Sequence, residues 1–135
     1  MPDVKDVVPT FFVADVPKSV EWYERVLGFN RVFIMPEYAG VELGPARIHL
    51  AQFVTKKGAP LKGACYLRLN GGVDEYVASI EAKGQKLTSA LRDHDYGMRE
   101  ATVRDIDGND IYVGQPIFRP VRMLGSAAGT RICVT

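Results

Sequence analysis

Hydrophobic and polar positions follow the same order twice along the chain. An apolar stretch from Val7 to Ala14 predicts a buried strand, and apolar residues at helical spacing then continue to Gly28. Glycine is typical just past a helix end, so the helix is predicted to stop there. Three further strand patterns follow, at about 29–35, 38–43 and 47–54. The first half of the chain therefore predicts the order βαβββ.

The second half repeats this order. A strand is predicted at about 64–69, followed by a helix that ends at Gly84. Strands are then predicted at about 86–91, 98–104 and 110–114, with a hairpin turn at Asp107-Gly108-Asn109 before the last. Only two copies fit the chain. Two copies predict a paired, pseudo-symmetric domain and argue against a solenoid, which needs at least three repeats.

The length and the breaks between the patterns predict one domain over 1–135. The first module covers about 7–54, and a linker rich in turn-forming residues covers 55–62. The second module covers about 63–116. The tail, 117–135, has no strand or helix pattern, and two interpretations stay open for it: a flexible extension, or an arm that docks on a partner subunit.

Composition and charge limit the class of partner. Seventeen basic and sixteen acidic residues give a formal charge of +1 without a run of like charge, which predicts no nucleic-acid and no membrane partner. No segment reaches the roughly 20 apolar residues of a membrane helix. The two cysteines, Cys65 and Cys133, do not read as a disulfide framework, and the N-terminus has no apolar signal core. We therefore expect a cytoplasmic protein whose partner is a small molecule.

Five short segments carry a family resemblance: Val13–Val16, Ser19–Tyr23, Val26–Phe29, Tyr96–Glu100 and Arg104–Asn109. With them the chain resembles the vicinal oxygen chelate superfamily, which includes glyoxalase I, extradiol dioxygenases, fosfomycin-modifying enzymes and bleomycin resistance proteins. The resemblance covers most of the chain. It implies an α+β fold in which two tandem βαβββ modules form curled mixed sheets around a central cavity. It also implies a homodimer.

The resemblance further indicates where a metal would bind. Metal-dependent members place one His, Gln or Glu ligand on the first and last strand of each module. Those positions fall here on Val8, on His49, on Tyr112 and on either Ala64 or Cys65. Strand alternation favours Ala64 for the ambiguous position. Since a metal site needs about three or four ligands and only His49 is a sure one, we predict no metal and no cofactor.

Because metal ligands are missing from these positions, the closer match within the family is its metal-free branch, which resembles bleomycin resistance proteins. Because side chains alternate along a strand, the resemblance also assigns the residues that face the cavity. They mix aromatic rings with polar groups, which is typical of a site for a flat, partly apolar ligand. The alternative is that the aromatic rings fill the cavity themselves. The predicted ligand-binding residues are Phe12, Arg47, His49, Tyr66, Arg68, Glu100 and Tyr112, and no catalytic residue is predicted.

These observations favour a binding protein that sequesters a toxic or antibiotic-like ligand. One alternative is a metal-dependent lyase, isomerase or dioxygenase of glyoxalase type. Another is a cofactor-free enzyme in which His49 and Glu100 act as acid and base. His49 has a structural interpretation as well, in which Tyr112 or Glu100 satisfies its hydrogen bonds.

Other conspicuous side chains predict structure instead of chemistry. Trp22 and Tyr23 lie on the apolar stripe of the first helix and are interpreted as core. His94 stands among polar residues in a loop and is interpreted as solvated. Cys65 has no neighbour that suggests a catalytic pair, so a buried, unreactive thiol is expected.

Overall fold

The computed structural model describes residues 1–120 and 131–134 and confirms the α+β class and the repeated βαβββ order. The elements of the first repeat are β1 Thr10–Val13, α1 Val16–Leu27, β2 Asn30–Met35, β3 Tyr38–Leu43 and β4 Ala46–Gln52. Those of the second are β5 Ala64–Arg68, α2 Val73–Ala82, β6 Ser89–Asp93, β7 Met98–Arg104 and β8 Asp110–Pro120, and β9 Arg131–Val134 follows. Within these residues neither helix is long and apolar enough to span a membrane.

The chain divides into two compact units. The first consists of Met1–Cys65 together with Arg104–Asp110, and the second of Tyr66–Val103 together with the described residues from Ile111 onward. The sheet of the first unit has the order β1-β4-β3-β2, with β1 parallel to β4 and the other pairs antiparallel. The second sheet has the order β5-β8-β7-β6, and β9 pairs antiparallel with β8.

Local sequence signals determine where α1 begins and ends. The carboxylate of Asp15 caps the helix by accepting a 3.0 Å hydrogen bond from the Lys18 N–H, and Pro17 occupies the first turn. At the other end Gly28 adopts a φ of 74°, and its N–H donates to the Tyr23 carbonyl. Glycine takes this left-handed conformation without strain, so the helix ends as the sequence predicts.

The core of the first unit lies between α1 and one face of its sheet. Apolar side chains of the helix, among them Val20 and Leu27, are completely buried. Strand residues whose side chains point to the helix are buried as well, including Phe11 and Val13 of β1 and Leu50 of β4. Burial of this apolar surface, at roughly 25 cal/mol per Å², stabilises the unit. The predicted core positions Trp22 and Tyr23 are 4% and 0% exposed, which confirms that interpretation.

The second unit packs α2 in the same way. Val73, Val77 and Ile80 are buried on one side of the helix, as the apolar spacing predicts. The helix follows Gly72, whose φ is 81°, and the side-chain oxygen of Gln115 accepts from the first helical N–H at 2.9 Å. This bond satisfies one of the N–H groups that a helix start leaves unpaired.

Several predicted boundaries differ from the structure. The first strand begins at Thr10 and not at Val7, and β6 covers Ser89–Asp93 where 86–91 was predicted. The largest difference is β8, which continues past Gly114 to Pro120. In the sequence the pattern ends after Pro116, and proline lacks the N–H that a central strand needs.

The neighbouring strand explains how Pro116 is accommodated. The carbonyl of Gly114 accepts from Leu69 just after β5 ends, so Pro116, two residues later, directs its nitrogen to the side where β5 has stopped. No ladder hydrogen bond is lost there, and Ile117 on the other side still donates to the Gly97 carbonyl. The predicted tail therefore contributes strand residues at both 117–120 and 131–134. The remaining residues of the predicted tail, 121–130 and 135, lie outside the described residues.

Candidate functional site

The sheet of the first unit has a second face, opposite to α1. Phe11 points to the helix and is buried, whereas Phe12 next to it is half-buried on the other face. Pairing places His49 beside Thr10 on one neighbouring strand and beside Gly40 on the other. Two of the predicted ligand-binding residues, Phe12 and His49, therefore lie on the same side of this sheet, which we call the first open face.

His49 is held by a residue that sequence reasoning did not single out. Its Nδ1 atom lies 2.6 Å from the hydroxyl oxygen of Tyr38. The ring of Phe33 stands edge-on to the imidazole at a centroid distance of 5.4 Å. The other ring nitrogen of His49, Nε2, is buried and has no hydrogen-bond partner among the described residues. The sequence analysis considered Tyr112 or Glu100 as the hydrogen-bond partner of His49. In the structure the partner is Tyr38.

The register of the β3–β4 hairpin brings these rings together. The short turn at Gly44-Pro45 pairs Gly40 with His49 and Tyr38 with Ala51, so Tyr38 is a diagonal neighbour of His49. Gly40 has a steric role as well. A Cβ atom at this position would come within 2.6 Å of Phe33 Cε1, so only glycine lets that ring lie over the strand. In the sequence, the length of the turn and the alternation along β3 were the two signals that could have placed Tyr38 near His49.

The other predicted residues of the first open face have separate partners. Arg47 forms a 3.1 Å ion pair with Glu42 directly across the hairpin, and both side chains are about two-fifths exposed. An exposed pair of this kind contributes little to stability. Phe12 contacts Phe53, whose ring centroid lies 5.2 Å away. The structure thus places Phe12, Arg47 and His49 on one face without joining their side chains to one another.

In the second unit, three predicted residues meet. The rings of Tyr66 and Tyr112 stack at a centroid distance of 6.1 Å and an angle of 30°. Glu100 is only 7% exposed, and its side chain lies close to the Tyr66 hydroxyl on either side of Gly114. Tyr96 donates a hydrogen bond of 2.7 Å to Glu100 Oε1. Arg68, the remaining predicted residue, is exposed on the same strand as Tyr66.

Electrostatics keep both phenols protonated. Burial is the main reason that the pKa of Tyr66 is raised, and the neighbouring Glu100 carboxyl raises it further. The hydrogen bond to Glu100 is the main reason that the pKa of Tyr96 is raised, so the Tyr96 hydroxyl remains a donor to Glu100. Among the described residues no lysine or arginine forms an ion pair with Glu100. The arrangement is a polar group surrounded by aromatic rings.

Gly114 allows Tyr66 to reach Glu100. β8 lies between the strands that carry these two residues, and a side chain on it would stand in the way. A Cβ atom at Gly114 would collide with the Tyr66 hydroxyl and lie 3.3 Å from Glu100 Cβ. Sequence reasoning missed both Gly114 and Tyr96. A glycine within a predicted strand was the available signal, because it often marks a close approach of another group.

Alternation along β5 bears on the position that the sequence left open. Tyr66 shares a face with Glu100, so Ala64 belongs to that face and Cys65 to the opposite one. Burial is the main reason that the pKa of the Cys65 thiol is raised to about 11. A thiol of this kind is mostly protonated at neutral pH and is a poor metal ligand.

The donor atoms do not fit the metal site of the metal-dependent relatives. Val8 and Ala64 have no ligating side-chain atom, so His49 is the one sure ligand among the four positions. Within the part of the chain that the structure describes, no three His, Cys, Asp or Glu side chains gather where they could hold a metal ion. His94, interpreted as a loop residue, stacks on Tyr96 at 4.9 Å.

Solved structures that share this fold belong to proteins of several kinds. TioX from Micromonospora sp. ML1 is 21% identical, with a TM-score of 0.72 over 84% of this chain and 100% of that one. A glyoxalase-related enzyme from Clostridium phytofermentans is 22% identical, with a TM-score of 0.71 over 86% and 98%. Lactoylglutathione lyase from Agrobacterium tumefaciens is 18% identical, with a TM-score of 0.69 over 85% and 96%. At these identities the likeness shows the fold alone.

Sequence comparison gives the family. No curated protein matches the chain significantly. A family model described as Glyoxalase/Bleomycin resistance protein/Dioxygenase superfamily, in contrast, matches residues 7–113, which include every element from β1 to the first part of β8. Both βαβββ repeats and the segments that carry the resemblance fall in this range. The chain therefore belongs to the Glyoxalase/Bleomycin resistance protein/Dioxygenase superfamily.

Proposed function

We propose that this protein binds a planar, partly apolar small molecule and sequesters it without chemical change. The observation that carries the proposal is the stack of Tyr66 on Tyr112 beside the buried carboxylate of Glu100. Aromatic faces with a few placed polar groups are typical of ligand sites. Tyr66 is 39% exposed, so its ring has surface that a ligand can cover.

The two candidate acid–base residues support binding over catalysis. His49 pairs with the Tyr38 hydroxyl, and Glu100 accepts from the Tyr96 hydroxyl, so each is engaged by a tyrosine of its own unit. A catalytic base is usually recognised by the nucleophile that it activates. Since neither residue pairs with a serine, cysteine or lysine nucleophile among these partners, we assign each to ligand recognition on the face of its own unit.

The proposal also includes the metal-free branch of the family, the one that resembles bleomycin resistance proteins. It is supported by the donor set, because Val8, Ala64 and Tyr112 occupy positions where metal-dependent members have ligands. A toxic or antibiotic-like compound is the class of ligand that this analogy suggests. We further propose a homodimer and a cytoplasmic location, the latter because the two cysteines do not read as a disulfide framework.

A ligand screen tests the proposal. A library of planar aromatic compounds is measured by thermal shift, and a ligand that binds only the folded protein should raise the melting temperature as its concentration rises. The bound compound is then recovered after long incubation and analysed by mass spectrometry. Recovery of unchanged ligand at one molecule per chain supports sequestration. Turnover of the compound, or no binder in the whole library, would show that the proposed function is wrong.

A further inference from the structure

The imidazole of His49 is satisfied on one side only. Nδ1 contacts the Tyr38 hydroxyl at 2.6 Å, whereas Nε2 is buried and has no partner among the described residues. Buried polar atoms are nearly always hydrogen-bonded, so an unpaired one calls for an explanation. A partner supplied from outside the chain, such as a bound ligand, would provide it.

The contact with Tyr38 determines which atom a ligand must offer. If Tyr38 donates its proton to Nδ1, the neutral imidazole carries its own proton on Nε2, and one group, this N–H, lacks a partner. In the opposite tautomer Nδ1 donates to the tyrosine oxygen. The tyrosine proton then has no acceptor among the described residues and has to be donated to solvent at the part-buried hydroxyl. Nε2 would also lack a donor, so in this tautomer neither group has a partner within the described residues.

We propose that Tyr38 is a positioning residue that holds His49 in the tautomer with its proton on Nε2, so that the site selects ligands with an oxygen hydrogen-bond acceptor. The inference rests on the proposal that the protein binds a small molecule, and it names the chemistry of a ligand for the first open face. A ring with a carbonyl, carboxylate or phenolate oxygen would pair with Nε2 and lie against aromatic side chains. A ring that offers only donors would leave Nε2 unpaired, which is costly in a buried site.

Neighbouring rings explain why Tyr38 can do this. Phe33 contacts both Tyr38, at a centroid distance of 5.6 Å, and His49, at 5.4 Å. Gly40 leaves room for that ring, since a Cβ there would approach within 2.6 Å of it. Packing on one side and a hydrogen bond on the other limit rotation of the imidazole. In this conformation Nε2 is buried, so a ligand oxygen reaches it only when the atoms that cover it move.

Nitrogen-15 NMR of histidine-labelled protein tests the positioning role without any ligand. The chain has two histidines, so His94→Asn assigns the signals. In the wild-type protein we expect His49 to show an unprotonated Nδ1 and a protonated Nε2. Tyr38→Phe keeps the ring and removes the hydroxyl, and we expect it to produce a mixture of tautomers at His49. Tyr96→Phe is the matched control: it should alter only His94, on which Tyr96 stacks.

Ligand selection is tested with three small probes that share one ring. Benzoate and acetophenone carry an oxygen acceptor, whereas benzylamine carries only donors. We expect the two acceptors to bind more tightly than benzylamine and to shift the Nε2 proton signal of His49. Loss of one hydrogen bond weakens binding by about two- to tenfold, and Tyr38→Phe should weaken binding of the acceptors by that factor.

The outcomes separate this inference from the proposed function. A proton on Nδ1 in the wild-type protein, or an unchanged tautomer in Tyr38→Phe, would overturn the positioning role. Tighter binding of benzylamine, or no binding of the acceptor probes while other planar compounds bind, would overturn the selection of acceptors. If no compound of the larger library binds, the proposed function fails, and the tautomer measurement still decides the role of Tyr38.

Discussion

The hydroxyl of Tyr23 donates a 2.8 Å hydrogen bond to Asp105 Oδ2, and both residues are buried. The bond joins α1 to the turn between β7 and β8, which belongs to the same compact unit. Asp105 also accepts from the side chain of Asn109, at 2.9 Å, and from the N–H groups of Asp107 and Asn109. Burial and then Asp105 raise the pKa of Tyr23 well above its ordinary value, so the phenol remains a donor.

Removal of this hydroxyl should destabilise the protein. Tyr23→Phe keeps the ring and leaves one buried carboxylate oxygen with a single donor. We expect the free energy of unfolding to fall by about 1–3 kcal/mol, measured by urea denaturation. Tyr112→Phe removes a hydroxyl that makes no hydrogen bond with the described residues, and it serves as the control, with a smaller loss. Equal losses in the two variants would contradict a special role for the Tyr23–Asp105 bond.

Metal content tests the interpretation of the four ligand positions. Protein purified without an affinity tag should contain well under one equivalent of zinc, nickel, manganese or iron. Its melting temperature should not respond to a chelator, because only a metal bound to the folded state would raise stability. Stoichiometric metal together with a melt that the chelator lowers would show that the donors around His49 are completed in a way we did not anticipate.

Light scattering tests the expected homodimer. Among the described residues, one edge of β2 pairs with no other strand of its sheet. Proteins usually protect such edges, and association of two chains is one way to do so. We expect a mass of about twice the 14.9 kDa chain at micromolar concentration. A monomer under these conditions would contradict the proposal.

Two aromatic substitutions separate a ligand contact from a core contact. Tyr112 is half-buried and stacks on Tyr66, so Tyr112→Ala should weaken ligand binding by roughly tenfold or more with a modest loss of stability. Trp22 is 4% exposed on α1, and Trp22→Ala should lower the free energy of unfolding by about 3–5 kcal/mol.

Calorimetric binding of a ligand from the screen and urea denaturation measure these two effects. If Tyr112→Ala destabilises the protein as much as Trp22→Ala and leaves ligand affinity unchanged, Tyr112 is a packing residue. The assignment of the second open face, which we define by Tyr66, Glu100 and Tyr112, to ligand binding would then be wrong.

The Cys65 thiol should respond to alkaline pH in a defined window. Its pKa is raised by burial from 9.0 to about 11, so the folded protein favours the protonated form. The stability that this preference contributes is complete below pH 9 and is lost as the pH rises toward 11. Between these values the wild-type protein should lose more stability than Cys65→Ala does.

Alkylation gives an independent measurement. In a Cys133→Ser background, which leaves one cysteine, iodoacetamide at pH 8 should modify the folded protein far more slowly than the unfolded protein, because only the thiolate reacts. Similar rates in the two states would contradict the raised pKa.

The sequence by itself determined the order of helices and strands within the two repeats. Asp15, Pro17 and Gly28 define α1 through local hydrogen bonds and backbone preferences, which need no information from distant residues. The repeated pattern predicted the two βαβββ modules, and five short segments carried the resemblance to the family. Alternation placed Phe12 opposite to the buried Phe11, since successive side chains point to opposite faces of a strand.

Only the tertiary structure decided which side chains meet. Tyr38 finds His49 through the register of a hairpin, and Tyr66 reaches Glu100 across a strand that has glycine at the crossing point. The hydrogen bond between Tyr23 and Asp105 joins residues 82 positions apart. Such contacts depend on register and on how a helix packs on its sheet, whereas local propensity and periodicity act within a few residues. For that reason the sequence could name candidate residues but not their partners.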